Sequence, residues 1–332
     1  MSLNPDAKLV QNILDTKSLE MKPTRDGYGT GLVKAGEKNK QVVVLCADLA
    51  ESTRSQWFRD KFPDRYIELG VAEQNMATVA SGLAAVGKIP FISSYAMFSP
   101  GRNNEQIRTT IALNFMPVKI GGAHAGISVG PDGATHQALE DIALMRVIPR
   151  MTVLVPCDAI EAEKATIAAA ELPGPVYIRF GREKSPIVTT TETPFAIGKA
   201  LVMREGGDAA IVACGMLVYN ALAAAEELAR DEKIEIAVIN SPSVKPLDEY
   251  AIIQVAEDSG AVVTVEEHQI IGGLGGAVAE LLGAHHPVPM EFIGVADRFG
   301  ESGEPDELIE HFGMGVGAIK EAVKRVIVRK RR

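Results

Sequence analysis

Glu73 occupies the setting in this chain that most invites chemistry. It lies in residues 70–87, GVAEQNMATVASGLAAVG, directly after an apolar, strand-like run at residues 66–69. Ala77, Ala80, Ser81 and Ala84 fall at i, i+3, i+4 and i+7, so the spacing predicts a helix with one face of small side chains, fit for a tight helix contact. A carboxylate placed where a strand hands over to a helix stands where open α/β sheets bind ligands. An acid in a first helical turn also serves simply to complement the helix dipole.

A second set lies in residues 121–137, GGAHAGISVGPDGATHQ, read as a long loop that leaves a strand and enters a helix. Its His124, Asp132 and His136 can ligate a metal, or hold a polar phosphorylated substrate by hydrogen bonds and charge. Thr135 can cap the helix that follows. Tyr95 and Phe98, just past a strand end, suit either a stacking wall or plain core packing. Arg25 at the entry to the first helix and Arg182 past a strand are phosphate clamps or solvated charges. Gly272, Gly273, Gly275 and Gly276 suggest a dinucleotide turn, but Val278 fills the third glycine position and the acid expected about twenty residues on for a ribose lacks a clear candidate. A closely packed turn is the better reading.

Elements must hold these residues at one edge. Apolar runs predict strands at 41–47, 66–69, 89–93, 118–121, 152–155 and 176–180, with helices near 26–37, 73–86, 102–113, 137–146 and 158–170. This alternation predicts right-handed crossovers and a doubly wound, mostly parallel sheet. A polar, proline-bounded stretch at 183–196 breaks the pattern and places a domain boundary there, giving domains 1–190 and 191–332. The second, smaller α/β domain has strands at 209–214, 234–239, 261–266 and 291–295, and helices near 216–230, 248–257, 273–283 and 315–328. Residues 1–24 are mixed and polar and are expected along the surface.

A chain of 332 residues suits two domains. Apolar residues make up 46% and aromatics only 5%, so Ala, Val, Ile and Gly do most of the packing, as in parallel sheets covered by helices. A net charge of -9 argues against nucleic acid or a membrane surface as partner. The basic tail Arg329, Lys330, Arg331 and Arg332 reads as a frayed, solvated terminus. Cys46, Cys157 and Cys214 show no zinc spacing and no disulfide framework. No apolar run is long enough to span a bilayer, and the N-terminus lacks a signal-peptide layout, so the expected location is the cytoplasm.

Glu73 in GVAEQNM, Tyr95 and Phe98 past a strand, and HAGISVGPDGATHQ resemble the thiamine-diphosphate enzymes of the transketolase family, from about Thr24 to the end of the chain. The resemblance is to their second half, a pyrimidine-binding domain followed by a C-terminal domain. It implies that Glu73 hydrogen-bonds N1′ of the cofactor's aminopyrimidine, that Tyr95 and Phe98 stack on that ring, and that Asp48 lies near the thiazolium. Asp132 matches the aspartate at the ketose 2-hydroxyl, His136 the histidine at the C1 hydroxyl, and His124 a histidine at the phosphate end. Arg25, Ser52 and Arg182 match the other phosphate contacts. The implied reaction moves a two-carbon ketol unit from a ketose phosphate to an aldose phosphate, as in the pentose phosphate pathway.

The sequence also departs from the family. The position of the family's third aromatic falls near Gly101, so the stacking wall is thinner or filled otherwise, and Ala125-Gly126 looks more like deoxyxylulose-phosphate synthase, which has arginine where this chain has His124. Gly-Asp-Gly, the family's diphosphate and metal motif, occurs nowhere. The resemblance therefore implies a separate N-terminal subunit that carries this motif with Mg2+ or Ca2+, and no metal ligands on this chain. It implies two copies of each chain in a two-fold symmetric heterotetramer, with the small-residue face of the Glu73 helix as candidate contact. A deoxyxylulose-phosphate synthase subunit, a 2-oxoacid dehydrogenase beta subunit and a non-catalytic partner of the same fold remain alternatives. The second domain offers no candidate site and is expected to help assembly.

Overall fold

A computed structural model describes residues 3–13, 15 and 18–330, so Arg331 and Arg332 of the basic tail lie outside the described residues. The first half of the chain carries β1 (Met21–Pro23), β2 (Val42–Cys46), β3 (Tyr66–Glu68), β4 (Ile89–Tyr95), β5 (Lys119–Ala123), β6 (Thr152–Leu154), β7 (Val176–Arg179) and β8 (Lys184–Pro186). The second half carries β9 (Leu201–Arg204), β10 (Ala209–Ala213), β11 (Ile236–Asn240), β12 (Ser243–Lys245), β13 (Val262–Gln269) and β14 (Met290–Val295). β2, read VVVLC, is buried at every position, which is the signature of a central strand with helices on both faces.

The first sheet has seven strands in the order β12-β6-β7-β5-β4-β2-β3, parallel throughout except at β12. The second runs β14-β13-β10-β11-β9, parallel except at β9. Each is thus an α/β layer of the doubly wound kind, as expected. β12 belongs to the second half of the sequence, yet it pairs with β6 as an edge strand of the first sheet. One apolar cluster likewise runs from Leu45, Met76 and Ile120 through Val155 to Val212, Ile239 and Val262, so the two domains share a core.

The structure differs from the expectation in several places. The N-terminal residues are not merely superficial: Ile13 is fully buried against the second domain, and Asn4 binds Val202 O and Met203 O there. The polar stretch at 183–196 contains β8, paired antiparallel with β1. The chain end is tied down. Arg329 donates to Met290 O and Glu291, and Lys330 to Ser259 O, so the last helix runs to Lys330 instead of fraying.

The Glu73 helix spans Glu73–Ala85. Its small face does meet a close neighbour, but within this chain. Ala77, Ala80, Ser81 and Ala84 are all buried, and Ser81 Oγ donates to Thr110 O at 2.7 Å. That face is therefore not free for a subunit contact. The segment it packs on, expected as one helix at 102–113, is a short turn at Asn104–Gln106 followed by a π-helix at Ile107–Ala112. Among the described residues no helix is long and apolar enough to cross a membrane.

Candidate functional site

Parallel pairing in register brings the ends of β2, β4, β5 and β7 to one edge: Cys46 faces Ser93, Tyr95 faces Ala123, and Gly122 faces Arg179. The expected residues follow these ends, as they must in an open α/β sheet. The Glu73 side chain, 1% exposed, sits in the first turn of its helix, where Nη1 of Arg102 donates to Oε2 at 2.6 Å. The Arg102 guanidinium lies 4.6 Å from the Phe98 ring centre. Asn103, fully buried, braces the turn by donating to Glu73 O and Ser99 Oγ. A planar nitrogen-bearing group thus rests on an aromatic face while donating to a buried carboxylate. The same two contacts suit a planar nitrogen heterocycle, so the aminopyrimidine of thiamine diphosphate fits this chain's residues. Arg102 was not singled out in the sequence. Its only signal is a position four residues after Phe98, at the start of a helix-like run.

Phe98 leads to the rest of the site through rings. Tyr95 lies 6.0 Å from Phe98 and stacks on His124 at 4.1 Å, while His136 meets both aromatic rings edge-on. His124 is 2% exposed and adopts φ 51, a left-handed conformation that turns the chain sharply out of β5. Arg25 donates both to His124 Nε2 at 3.2 Å and to Ser52 O at 3.2 Å. Burial first, then the charges of Arg25 and Arg182, push the His124 pKa down to about 3, so the ring is neutral. Arg25 can only donate, which makes Nε2 the acceptor and leaves the ring proton on Nδ1, a buried atom without a partner. Nε of Arg25 is likewise buried and unpaired.

Arg182 approaches Asp132 at 3.6 Å and Glu183 at 3.3 Å. Asp48 stands exposed just past β2 at φ 59, its amide donating to Glu68 Oε1. The structure therefore joins Phe98, Tyr95, His136, His124, Arg25 and Ser52 through direct contacts, and links Glu73 to Phe98 through Arg102. It pairs Asp132 with Arg182, and leaves Asp48 on the same edge without a described contact to the others.

The segment at 121–137 is more ordered than a loop. Ala125 bridges Ala138, and Ile127–Asp132 forms 3-10 turns broken at Gly130, where φ is 77. The helix expected at 137–146 begins only at Asp141, so Thr135 does not cap it and its hydroxyl bonds His136 Nδ1 at 2.9 Å instead. The glycine-rich turn at 272–276 opens a helix whose amides are already taken: Leu274 N and Gly275 N donate to Glu266 at 2.8 Å each. A Cβ on Gly273 would lie 2.0 Å from Glu266 Oε2, so glycine is there to admit that carboxylate. A wide cleft of about 610 Å³ between Arg146, Lys245 and His285 lies away from these residues, and its cations are committed. Lys245 donates to Arg146 O and Ile148 O, and Arg146 pairs with Glu280. Among the described residues no group of three or more His, Cys, Asp or Glu side chains is arranged to hold a metal ion.

Comparison with known proteins gives the following. The profile of the transketolase pyrimidine-binding domain matches residues 20–187, and that of the transketolase C-terminal domain matches residues 198–319. A putative transketolase C-terminal section from Methanocaldococcus jannaschii is 44% identical over 91% of this chain and 95% of its own length. The 6-deoxy-6-sulfo-D-fructose transketolase subunit SqwH of a Clostridium strain is 42% identical over 92% and 95%. Among solved structures, a split gene transketolase described as an inactive beta4 tetramer superposes with a TM-score of 0.87 at 45% identity. That match covers 93% of this chain and 99% of the other.

Proposed function

This chain belongs to the transketolase family, and from that premise we propose that it is the C-terminal subunit of a split, thiamine-diphosphate-dependent transketolase. Its substrates are a ketose phosphate donor and an aldose phosphate acceptor. The observation that carries the reading is the row from the buried Glu73 carboxylate, where Arg102 now rests against Phe98, through Tyr95 to the neutral His124 and its Arg25.

When bound, thiamine diphosphate supplies a nucleophilic thiazolium carbon and an electron sink for breaking the bond beside a ketose carbonyl. This chain's residues do the rest. Glu73 would hydrogen-bond the pyrimidine ring nitrogen and share a proton with it, and Phe98 and Tyr95 would supply the stacking wall. Arg102 holds that carboxylate here, so it must withdraw for the ring to enter. Asp132 accepts from the ketose 2-hydroxyl and His136 meets the C1 hydroxyl. The unpaired Nδ1–H of His124, beside Arg25, Ser52 and Arg182, suits an anionic group at the far end of the sugar. Asp48 lies toward the thiazolium. The lack of Gly-Asp-Gly in this sequence supports a separate N-terminal subunit that would hold the diphosphate and its Mg2+ or Ca2+. The solved relative assembles as an inactive tetramer of its own kind, which supports the need for that partner. We propose an assembly with two copies of each chain.

The test is a gentle pull-down from native lysate with mass spectrometry, followed by a ketol-transfer assay on the recovered complex. A stoichiometric partner with Gly-Asp-Gly, and transfer from a ketose phosphate, is the expected result. Donors ending in phosphate and in sulfonate both belong in the panel, because a relative is named for a sulfosugar. Decarboxylation of pyruvate in place of ketol transfer would move the chain to another thiamine enzyme. Recovery of this chain alone would sink the split-subunit reading.

A further inference from the structure

The second domain grips the segment that carries Asp132 and His136 at several points. Gln137, 3% exposed and adjacent to His136, donates through Nε2 to Ile127 O at 3.0 Å and to Glu301 O at 3.0 Å, reaching across from one domain to the other. Ser128 N donates to Oε1 of the buried Glu267 at 2.7 Å. Leu139 O accepts from Gln269 N at 2.8 Å, and Gln269 in turn fixes the approach to the gripping segment by donating to Arg298 O at 2.6 Å.

Side chains press on glycine backbone here closely enough to exclude a Cβ. A Cβ on Gly133, next to Asp132, would lie 2.6 Å from Ser302 Oγ, and one on Gly126 would lie 2.3 Å from Glu267 Oε1. A Cβ on Gly300 would fall 1.8 Å from Gln137 Oε1. Gln137 cannot yield cheaply, because its amide is buried and holds carbonyls of both domains.

We infer that the second-domain segment 297–305, together with Glu267, is a positioning strut for Asp132 and His136, with Gly300, Glu301 and Gln137 as its key. The inference rests on the proposed ketol transfer for its functional consequence. Asp132 and His136 sit on a segment with no long helix or strand of its own, and the strut supplies the rigidity that substrate contacts require. Glu73 sits on its own helix and Phe98 in the turn past β4, outside the strut's grip, and only the edge of His136 reaches Phe98, so the strut acts first on substrate contacts.

The decisive variants are Gly300→Ala, which drives a methyl into the Gln137 amide, and Gln137→Met, which keeps the volume and removes the bonds. Amide hydrogen exchange on the isolated chain reads the coupling without reference to activity. The amides of Gly133, His136 and Gln137, which donate to Gly130 O and Gly133 O, are expected to exchange at least about tenfold faster in both variants, with those of β10 unchanged. In the complex with its co-purified N-terminal partner, KM for the ketose phosphate donor is expected to rise about tenfold or more, with half-saturation by thiamine diphosphate unchanged. Unchanged exchange in both variants would overturn the strut. So would a loss of kcat with donor KM unmoved, or a matching loss of cofactor affinity. Faster exchange in a complex whose wild type shows no ketol transfer would leave the strut standing and overturn the functional reading instead.

Discussion

Two strand-to-helix junctions that bury a glutamate, one at Glu73 and one at Glu266, are finished in opposite ways. In the second domain Glu266 closes the junction, both of its oxygens accepting amides of the Leu274–His285 helix. In the first, Glu73 meets Arg102, a side chain 46% exposed and free to leave, and nearby Nδ1 of His124 and Nε of Arg25 have no partner. A helix N-terminus with its own carboxylate is finished structure. Buried donors without partners, beside an ion pair that opens to solvent, are a site held ready for something else. The glycine-rich turn, the more conspicuous signature in the sequence, marks the junction that is closed.

The sharpest way to break this contrast is at Glu73. Glu73→Gln is expected to lower ketol transfer by roughly 10² to 10⁴-fold with the assembly intact on gel filtration. Full activity in that variant would make the two junctions equivalent. Glu266→Ala should act on stability alone, leaving two buried amides unsatisfied at a cost of about 2–4 kcal/mol. Denaturant unfolding measures it, and an unchanged midpoint would show the second junction to be no cap.

Proton linkage separates the site from the domain seam. The folded pKa of His124 is down at about 3 from 6.5, so the folded state binds fewer protons and this residue's stabilisation is lost as pH falls from 6.5 toward 3. Glu161, buried at the seam against Cys157 N and Asn240, is pushed by burial and then by Asp158 up to about 7 from 4.5. Its folded state holds the extra proton, so its contribution is lost as pH rises from 4.5 through 7. Where these windows overlap, from 4.5 to 6.5, the two oppose each other at about 1.4 kcal/mol per pH unit. His124→Asn, which tolerates the left-handed backbone, should tilt stability downward with rising pH over that range, and Glu161→Gln should tilt it upward. Identical slopes in both variants would refute the assignment. The smallest effect is expected from Arg102→Ala: a few-fold tighter binding of a 4-aminopyrimidine to the isolated chain, followed by NMR titration. Weaker binding would make Arg102 part of the pocket wall and not its occupant.

Much of this was legible before any coordinates. The buried runs of β2, β4 and β7 declare themselves by β-branched and apolar content, β5 (KIGGA) fits the alternation of strand and helix, and their parallel order puts the residues that follow them on one edge. What stayed hidden is what tertiary contact decides. Ser243–Lys245 has no periodicity to show that it completes a sheet in the other domain. The helix Pro305–His311 and the short helices at Ala50–Thr53 and Ser55–Lys61 are too brief to display an apolar face. Arg102 reads as an ordinary helix residue until folding sets it on Glu73. The small face of the Glu73 helix was correctly a close contact, but spacing alone cannot tell an internal neighbour from another subunit.

The exchange of β12 has a consequence for how the molecule comes apart. The first sheet borrows an edge strand from beyond residue 240, and the second is covered by residues 3–13, so the chain is stitched in both directions. A cut within 190–194 would leave two fragments that each hold a piece of the other's layer. They would remain together as a complementation pair, and either fragment alone would lack part of its own fold. The seam is a buckle and not a hinge, and the lobes of this subunit open by unfolding if they open at all.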